Sequence, residues 1–484
     1  MTMLNGEGLA ALEARLRADL QLLELPAKPW VPARRAAGSY VVDVAILGAG
    51  MCGLVAAASL KLLGIDNVLC FDKAPAGREG PWKTFARMET LRSPKQLAGP
   101  ALGLPALTFQ AWYQAQFGDA AWQALGKIPR RQWMDYLVWY RQALNIPVLN
   151  KTEVTLLQPA EDDLIAVETR NLLTQEMQRY LARRVVLASG RDGLGGPFVP
   201  AFVQALDKQY WAHSADDIDF SALAGKRVGV IGAGASAMDN AATALEQGAD
   251  RVELFIRRQD LPRINKFTGI ASQGVVQGFI GLSDEWKWRF LAATLAAQTP
   301  PPRDSTLRVS RHDNAFFHLN SPVTALREKE GRVELSTPAG DCLLDFVIFA
   351  TGFRVDLSRR SELRHFAPAI ALWQDRFTPA AGEENDELAT SPYLGPAFEL
   401  QQKTPGQCPL LARIHCFNYP STLTHGKLSG DIPAVSEGGR RLAQGIARAF
   451  FAEDRETHFA DLLAFDTPEL LGDEWRNAQG IDYE

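Results

Sequence analysis

Apolar and polar positions along the chain switch between a strand period and a helix period in a repeating order. Over residues 40 to 73, YVVDVAILGAGMCGLVAAASLKLLGIDNVLCFDK predicts a buried strand, a glycine turn, a helix and a second strand that ends on Asp72. Residues 225 to 258, GKRVGVIGAGASAMDNAATALEQGADRVELFIRR, repeat that order, and their second strand ends on Arg257 and Arg258. The chain therefore holds an internal duplication of one unit rather than a solenoid. Two more apolar runs close on glycine, ARRVVLASG at 182 to 190 and LLDFVIFATGF at 343 to 353, where a ligand or another backbone could come close.

Outside these units the pattern is looser. Leu4, Leu9, Leu12, Leu16, Leu20 and Leu23 predict an amphipathic lead helix over residues 4 to 23, followed by a proline-bearing linker at 24 to 39. Between the two copies, residues 105 to 140 are rich in aromatics. Trp133, Tyr136 and Tyr140 fall at helical spacing, which predicts an aromatic face turned to the core, with a substrate or flavin wall as the rival reading. Toward the end of the chain, Gly430 and Asp431 precede a helix expected to begin near Pro433, and the segment after Phe451 is mixed and acidic, as a surface cap would be.

Composition narrows the class. With 484 residues, 46% hydrophobic and 22% charged, the chain is long enough for two to four domains. Its 56 acidic against 51 basic residues leave a net charge of -5, so nucleic acid is not an expected partner. The 5 cysteines (52, 70, 342, 408 and 416) are odd in number and scattered, which excludes a disulfide scaffold, a CxxC pair and zinc spacing. No metal is expected. The first residues lack the apolar core of a signal peptide, so a cytoplasmic location is expected. The uncharged stretch from Val44 to Leu60 is interrupted by Gly48, Gly50 and Gly53 and is shorter than the ~20 residues of a membrane span, so no membrane partner is expected.

The chemistry lies in the duplicated unit. Gly48, Gly50 and Gly53 form GxGxxG between strand and helix, the pattern that lets a pyrophosphate approach backbone amides, and Asp72 ends the next strand where a carboxylate can accept from ribose hydroxyls. The second copy has Gly232, Gly234 and Ala237, with Arg257 and Arg258 in place of the acid. Such cations suit the 2′-phosphate of NADPH and not a bare ribose. NADPH is accordingly assigned to the second unit and FAD to the first. A helix N-terminus behind Gly430 and Asp431 would suit the electron-rich end of a reduced flavin, although Asp431 could equally be a simple helix cap. The polar residues His425, Lys427, Arg311, His312 and Asn314 are candidates for an anionic substrate, each with a structural alternative.

With both units in view, the chain is similar to the flavin-containing class B monooxygenases and their N-hydroxylating relatives over about residues 40 to 450. The resemblance rests on GAGMCG at 48 to 53, GPW at 80 to 82, ASG at 188 to 190, His213-Ser214, GAGASA at 232 to 237 and ATGF at 350 to 353. It implies FAD contacts from Gly48, Gly50, Met51, Cys52, Gly53, Asp72, Lys73, Trp82 and Gly190. It also implies NADPH contacts from Gly232, Gly234, Ala235, Ser236, Ala237, Arg257 and Arg258, and cofactor contacts from Thr351, Gly352, Gly430 and Asp431. Two departures count against lactone formation: KQYWAHS has no glycine ahead of His213, and Asp217-Ile218 stand where Baeyer-Villiger enzymes carry tryptophan or proline.

The expected fold is α/β, with two Rossmann-like dinucleotide-binding domains, the NADPH domain inserted in the FAD domain, and a helical aromatic-rich insertion. The expected boundaries are 1–39 for lead helix and linker, 40–197 and 321–450 for the FAD domain, 198–320 for the NADPH domain, and 451–484 for the cap. The expected activity is that of an NADPH-using flavin monooxygenase. It would form a peroxyflavin and oxygenate an amine nitrogen or thioether sulfur of a small molecule, with molecular oxygen as co-substrate. No paired carboxylates and no Ser-His-Asp set mark a protein acid or base, so no catalytic side chain is named. The rival readings are an NADPH-dependent flavin reductase, a Baeyer-Villiger oxygenase, and a nucleotide-retaining sensor or scaffold. A disulfide reductase is disfavoured because the first unit lacks a CxxxxC pair. No sequence signal bears on oligomeric state.

Overall fold

The computed structural model describes residues 6–36, 39–478 and 480. The first duplicated unit opens on the strand Ser39–Leu47, turns at the glycines into the helix Met51–Leu62 and returns as the strand Val68–Phe71. Because these strands are parallel and covered on both faces, they are apolar without alternation, with Val44, Ala45 and Ile46 fully buried. The sheet runs Val148–Leu149, Val68–Phe71, Ser39–Leu47, Met177–Leu187, Ile165–Asn171, Thr152–Pro159, with Ile414–Cys416 parallel to Met177–Leu187 from far along the chain. The uncharged stretch of the sequence is thus a strand, a turn and a buried helix. Among the described residues no helix is long and apolar enough to cross a membrane.

The second unit is a parallel sheet in the order Ala315–His318, Arg251–Phe255, Arg227–Ile231, Phe346–Phe349, Trp211–His213. Val228 pairs with Phe346 and Val347 with Trp211, so the strand that ends in Ala350-Thr351-Gly352 belongs to this sheet. The boundary expected at 320 therefore falls inside the second unit, which also carries the antiparallel strands Ala325–Lys329, Arg332–Thr337 and Gly340–Leu344. An apolar run ending in glycine looks the same whichever sheet it joins. Only pairing with Arg227–Ile231 assigns it. The chain passes into and out of this unit through two adjacent segments, Gly195–Pro197 and Phe353–Val355, which pair antiparallel.

The aromatic region forms the helices Phe109–Ala124, kinked at Gly118, and Arg130–Ala143. Phe109, Trp112, Trp133, Tyr136 and Tyr140 are buried in one cluster with the first glycine helix, as the core reading expected. The lead helix, Gly6–Leu22, packs here through Leu12 and Leu16. The late helix Val435–Glu453 lies so close to Met51–Leu62 that a Cβ at Gly439 would stand 2.5 Å from Val55 Cγ1. That contact carries the Gly430-Asp431 turn to the first glycine turn. A last helix, Arg455–Ala464, is largely exposed, as are residues 465–478.

Candidate active site

Each glycine turn is built on the same contact. A Cβ at Gly48 would meet the Ala188 carbonyl at 2.5 Å, and one at Gly232 would meet the Ala350 carbonyl at 2.5 Å. Both glycines also have left-handed φ, +103° and +140°. The small residues of ASG and ATG thus press each neighbouring strand end against its own glycine turn. Thr351 and Gly352, expected at a cofactor, sit at the connection between the units. Thr351 Oγ1 donates to the Phe198 carbonyl, and the Gly352 carbonyl accepts from the Phe198 N–H (2.9 Å) and from His213 Nε2 (3.0 Å). The Ala215 N–H donates to His213 Nδ1 at 3.1 Å, which makes Nε2 the protonated nitrogen. Burial lowers the pKa of this ring, so it stays neutral.

Gly50 and Gly234 tell a different story. Their φ values, -69° and -86°, suit any residue. A Cβ at Gly234 would meet no atom within 4 Å, and one at Gly50 would come no closer than 3.7 Å, to Gly80 Cα. Neither conformation nor packing calls for glycine there, whereas the approach of a ligand to the backbone does. Behind them the helices Met51–Leu62 and Ala235–Glu246 start with no side-chain cap, and the first intrahelical bonds come from the N–H groups of Leu54 (3.0 Å) and Met238 (3.2 Å). The amides of Met51, Cys52 and Gly53, and of Ala235, Ser236 and Ala237, are left as donors at the positive end of a helix dipole. Two pyrophosphates fit these two cradles. Gly53 and Ala237 serve packing: a Cβ at Gly53 would lie 1.9 Å from the Gly48 carbonyl, and Ala237 is fully buried.

Asp72 accepts from the Ala49 N–H (2.8 Å) and the Ala74 N–H (2.7 Å), so the carboxylate is held beside the first cradle, with Lys73 exposed next to it. Burial raises its pKa, and the two amides oppose the rise. Sequence reasoning missed the other wall of this cleft, where Glu79, Met134, Leu137, Val138 and Arg141 line a cavity of about 240 Å³ with Gly50. Arg141 donates to Glu79 (3.1 Å) and Asn150 (2.9 Å), and Asn150 donates to Glu79 (2.6 Å). The aromatic helix therefore has two working faces. Its bulky rings mark the core face, while the spacing of Met134, Leu137, Val138 and Arg141 was the available signal for the other. Trp82 stands edge-on to Trp133, and its indole N–H is buried without a partner among the described residues. A dinucleotide beside Gly80 fits that orphan donor.

In the second unit Gly232 is fixed by its N–H to the Phe255 carbonyl (3.2 Å), so the strand running on to Arg257 and Arg258 ends beside the second cradle. Arg257 is exposed, and Arg258 is half-buried, its guanidinium donating to the Ala296 carbonyl.

The turn at Gly430 reaches the first cradle, where the Cys52 thiol touches the Gly430 backbone and burial pushes that thiol up to about 11. Gly430 has φ of +85° and open space around it. Asp431 makes no cap hydrogen bond, which removes the capping alternative. Burial raises its carboxyl, and Lys427 and Arg92 pull it back down. Gly190 is tied to the same region, its carbonyl accepting from the Tyr419 N–H at 3.4 Å. The other anion candidates are structural. His425 is buried, stacks on Phe398 and bonds the Gly395 carbonyl; Asn314 bonds the carbonyls of Ala249 and Asp250; Arg311 bonds that of Leu307. The His312 backbone joins the turn that ends its helix, its N–H donating to the Val309 carbonyl at 3.1 Å. Among the described residues no His, Cys, Asp and Glu cluster suits a metal.

Residues 45–269 match the model of the pyridine nucleotide-disulphide oxidoreductase family. A FAD-dependent urate hydroxylase of Xanthomonas campestris pv. campestris is 41% identical over 465 residues, covering 96% of this chain and 98% of that protein. Among solved structures, the ornithine hydroxylase of Pseudomonas aeruginosa superposes with a TM-score of 0.66 at 16% identity, over 84% of this chain and 99% of that one. The ornithine N-hydroxylase of Kutzneria sp. 744 does so with a TM-score of 0.66 at 17% identity, over 84% and 99%. These two share the fold. Full-length likeness to the urate hydroxylase, two intact cradles and the acid-ended first unit together make this chain a member of the FAD-dependent flavoprotein monooxygenase family.

Proposed function

We propose that this protein is an NADPH-using, FAD-dependent monooxygenase that hydroxylates urate or a closely similar anionic purine. The observation that carries the proposal is the 41% identity to a urate hydroxylase across nearly the whole of both chains. The overall reaction consumes one substrate, one NADPH, one proton and one O2, and yields the hydroxylated product, NADP+ and water. Bound FAD would supply the redox chemistry that couples NADPH oxidation to the activation of O2.

This chain's residues bind and orient. The amides of Met51, Cys52 and Gly53 would hold the FAD pyrophosphate, Asp72 its ribose, and the Trp82 indole N–H an acceptor on the same cofactor. The amides of Ala235, Ser236 and Ala237 would hold the NADPH pyrophosphate, and Arg257 and Arg258 its 2′-phosphate. The helix N-terminus behind Gly430 and Asp431 offers positive potential to the flavin end of the cleft. Oxygenation of an amine nitrogen or thioether sulfur, suggested by the sequence motifs, is the reading that urate replaces.

The test is steady-state turnover of the purified yellow protein with NADPH and 18O2, offered urate, L-ornithine or a thioether. Urate-dependent consumption of NADPH and O2 in equal amounts, with one labelled oxygen in the product, is the expected result. NADPH oxidation that yields only hydrogen peroxide whatever is added would overturn the proposal in favour of the reductase.

A further inference from the structure

Three cations gather around the Gly430-Asp431 turn, and among the described residues none of them has a carboxylate at ion-pair distance. Arg92, exposed in the cleft, donates to the Pro300 carbonyl of the second unit. The half-buried Lys427 holds its ammonium 4.2 Å from the centre of the Phe267 ring, also in the second unit. Arg191, which follows the ASG strand end, lies 3.7 Å above the Tyr419 ring. Arg92 and Lys427 both act on Asp431, and Arg191 acts on Lys427, so the four form one electrostatic group. Each of the two cations starts from the FAD unit and touches the NADPH unit.

We propose that Arg92 and Lys427 are an anion clamp at the flavin end of the cleft, closing on a planar, negatively charged heterocycle, with Asp431 between them accepting a ring N–H. The inference rests on the urate reading and deepens it. Urate at neutral pH is a planar monoanion that presents carbonyl oxygens on its edges and N–H groups between them. A guanidinium fork and an ammonium suit the carbonyl and anionic edge, and a carboxylate suits the N–H. A simple carboxylate ligand has no N–H for Asp431, and an amine substrate would face three cations. The cluster therefore selects a ligand with both an anionic edge and an N–H edge. Because both cations contact the second unit, the clamp is complete only when the two units are in register.

The test uses FAD-loaded protein, with ligand binding followed by the change in the flavin absorbance. Arg92→Met and Lys427→Met should each weaken urate binding at least about ten-fold, as expected for loss of a charge-assisted bond. Neutral hypoxanthine should lose much less. Arg92→Lys and Lys427→Arg should recover most of the affinity, and they keep the question open to measurement if a methionine variant folds poorly. Arg311→Ala, remote from the cleft, is the control. If unsubstituted protein turns over urate but both methionine variants bind it as tightly, the clamp is overturned and the urate reading stands. If Arg92→Met raises the KM for NADPH and leaves that for urate, the arginine serves the nucleotide and the clamp is overturned. If urate is not turned over, the substrate reading falls, and the clamp is decided by orotate, a planar anion with ring N–H groups. Weakened binding of orotate in both variants keeps it, and equal binding removes it.

Discussion

Two glycines of one motif do unrelated work. Gly53 is required by packing, since a Cβ there would overlap the Gly48 carbonyl, whereas the position of Gly50 has room for one. Gly53→Ala is therefore expected to misfold, while Gly50→Ala folds and comes off purification without FAD. Circular dichroism and flavin absorbance per chain separate the two outcomes. A second residue-scale effect comes from His415 and His425, both buried and both held at about 3 by burial, against the ordinary 6.5. His415 Nδ1 bonds the Ala397 carbonyl at 2.8 Å and His425 Nε2 the Gly395 carbonyl at 3.0 Å. The native state keeps both rings neutral, while the unfolded chain takes up protons below pH 6.5. Stability from each ring is thus full above pH 6.5 and is lost as the pH falls toward about 3, by about 2 kcal/mol per ring at pH 5. Urea unfolding of His425→Gln at pH 7 and pH 5 should show a drop smaller by about that amount. An equal drop in both proteins would refute it.

At the scale of elements, the strand Arg251–Phe255 is the better guide to cofactor choice than the glycine turn it supports. Both turns press their first glycine on a neighbouring strand end, whereas the charge that ends the second strand differs, Asp72 against Arg257 and Arg258. Arg257→Ala should raise the KM for NADPH at least about ten-fold and leave that for NADH nearly unchanged, since a lost charge-assisted bond is worth about 1.5–3 kcal/mol. Equal effects on the two nucleotides would sink the 2′-phosphate assignment. The crossing of Val435–Glu453 over Met51–Leu62 depends on Gly439, where a Cβ would press on Val55 Cγ1 at 2.5 Å and on Ser59 Oγ at 2.7 Å. Gly439→Ala should cost about 2 kcal/mol in urea unfolding through overpacking, in spite of alanine's better helix propensity. Helical spacing correctly marked Trp133, Tyr136 and Tyr140 as a core face. It did not reveal that Met134, Leu137, Val138 and Arg141 wall the first cleft, because lining a cofactor cleft and lining a core call for the same apolar residues.

At the scale of the molecule, one buried arginine joins the units. Arg308 pairs with Glu246 (2.6 Å) and Asp239 (3.5 Å) and donates to the Arg87 carbonyl of the first unit at 3.1 Å. Arg308→Met should destabilise by about 3 kcal/mol, because it leaves the buried Asp239 carboxylate without its cation. Thermal unfolding should report a lower midpoint, and an unchanged midpoint would mean the pair is dispensable. The duplicated strand, glycine turn and helix, the charge that ends each second strand, and the aromatic core face were all legible in sequence. Each is encoded by period and spacing within about 35 residues, the range over which one unit folds on itself. Tertiary structure alone decided that the Phe346–Phe349 strand joins the second sheet, that Thr351 and Gly352 lie at the connection between units, and that Asp431 is no cap. It alone brought Arg92 near Asp431 and Lys427. Those contacts join residues hundreds of positions apart, and local pattern carries no record of which distant surface a side chain will meet.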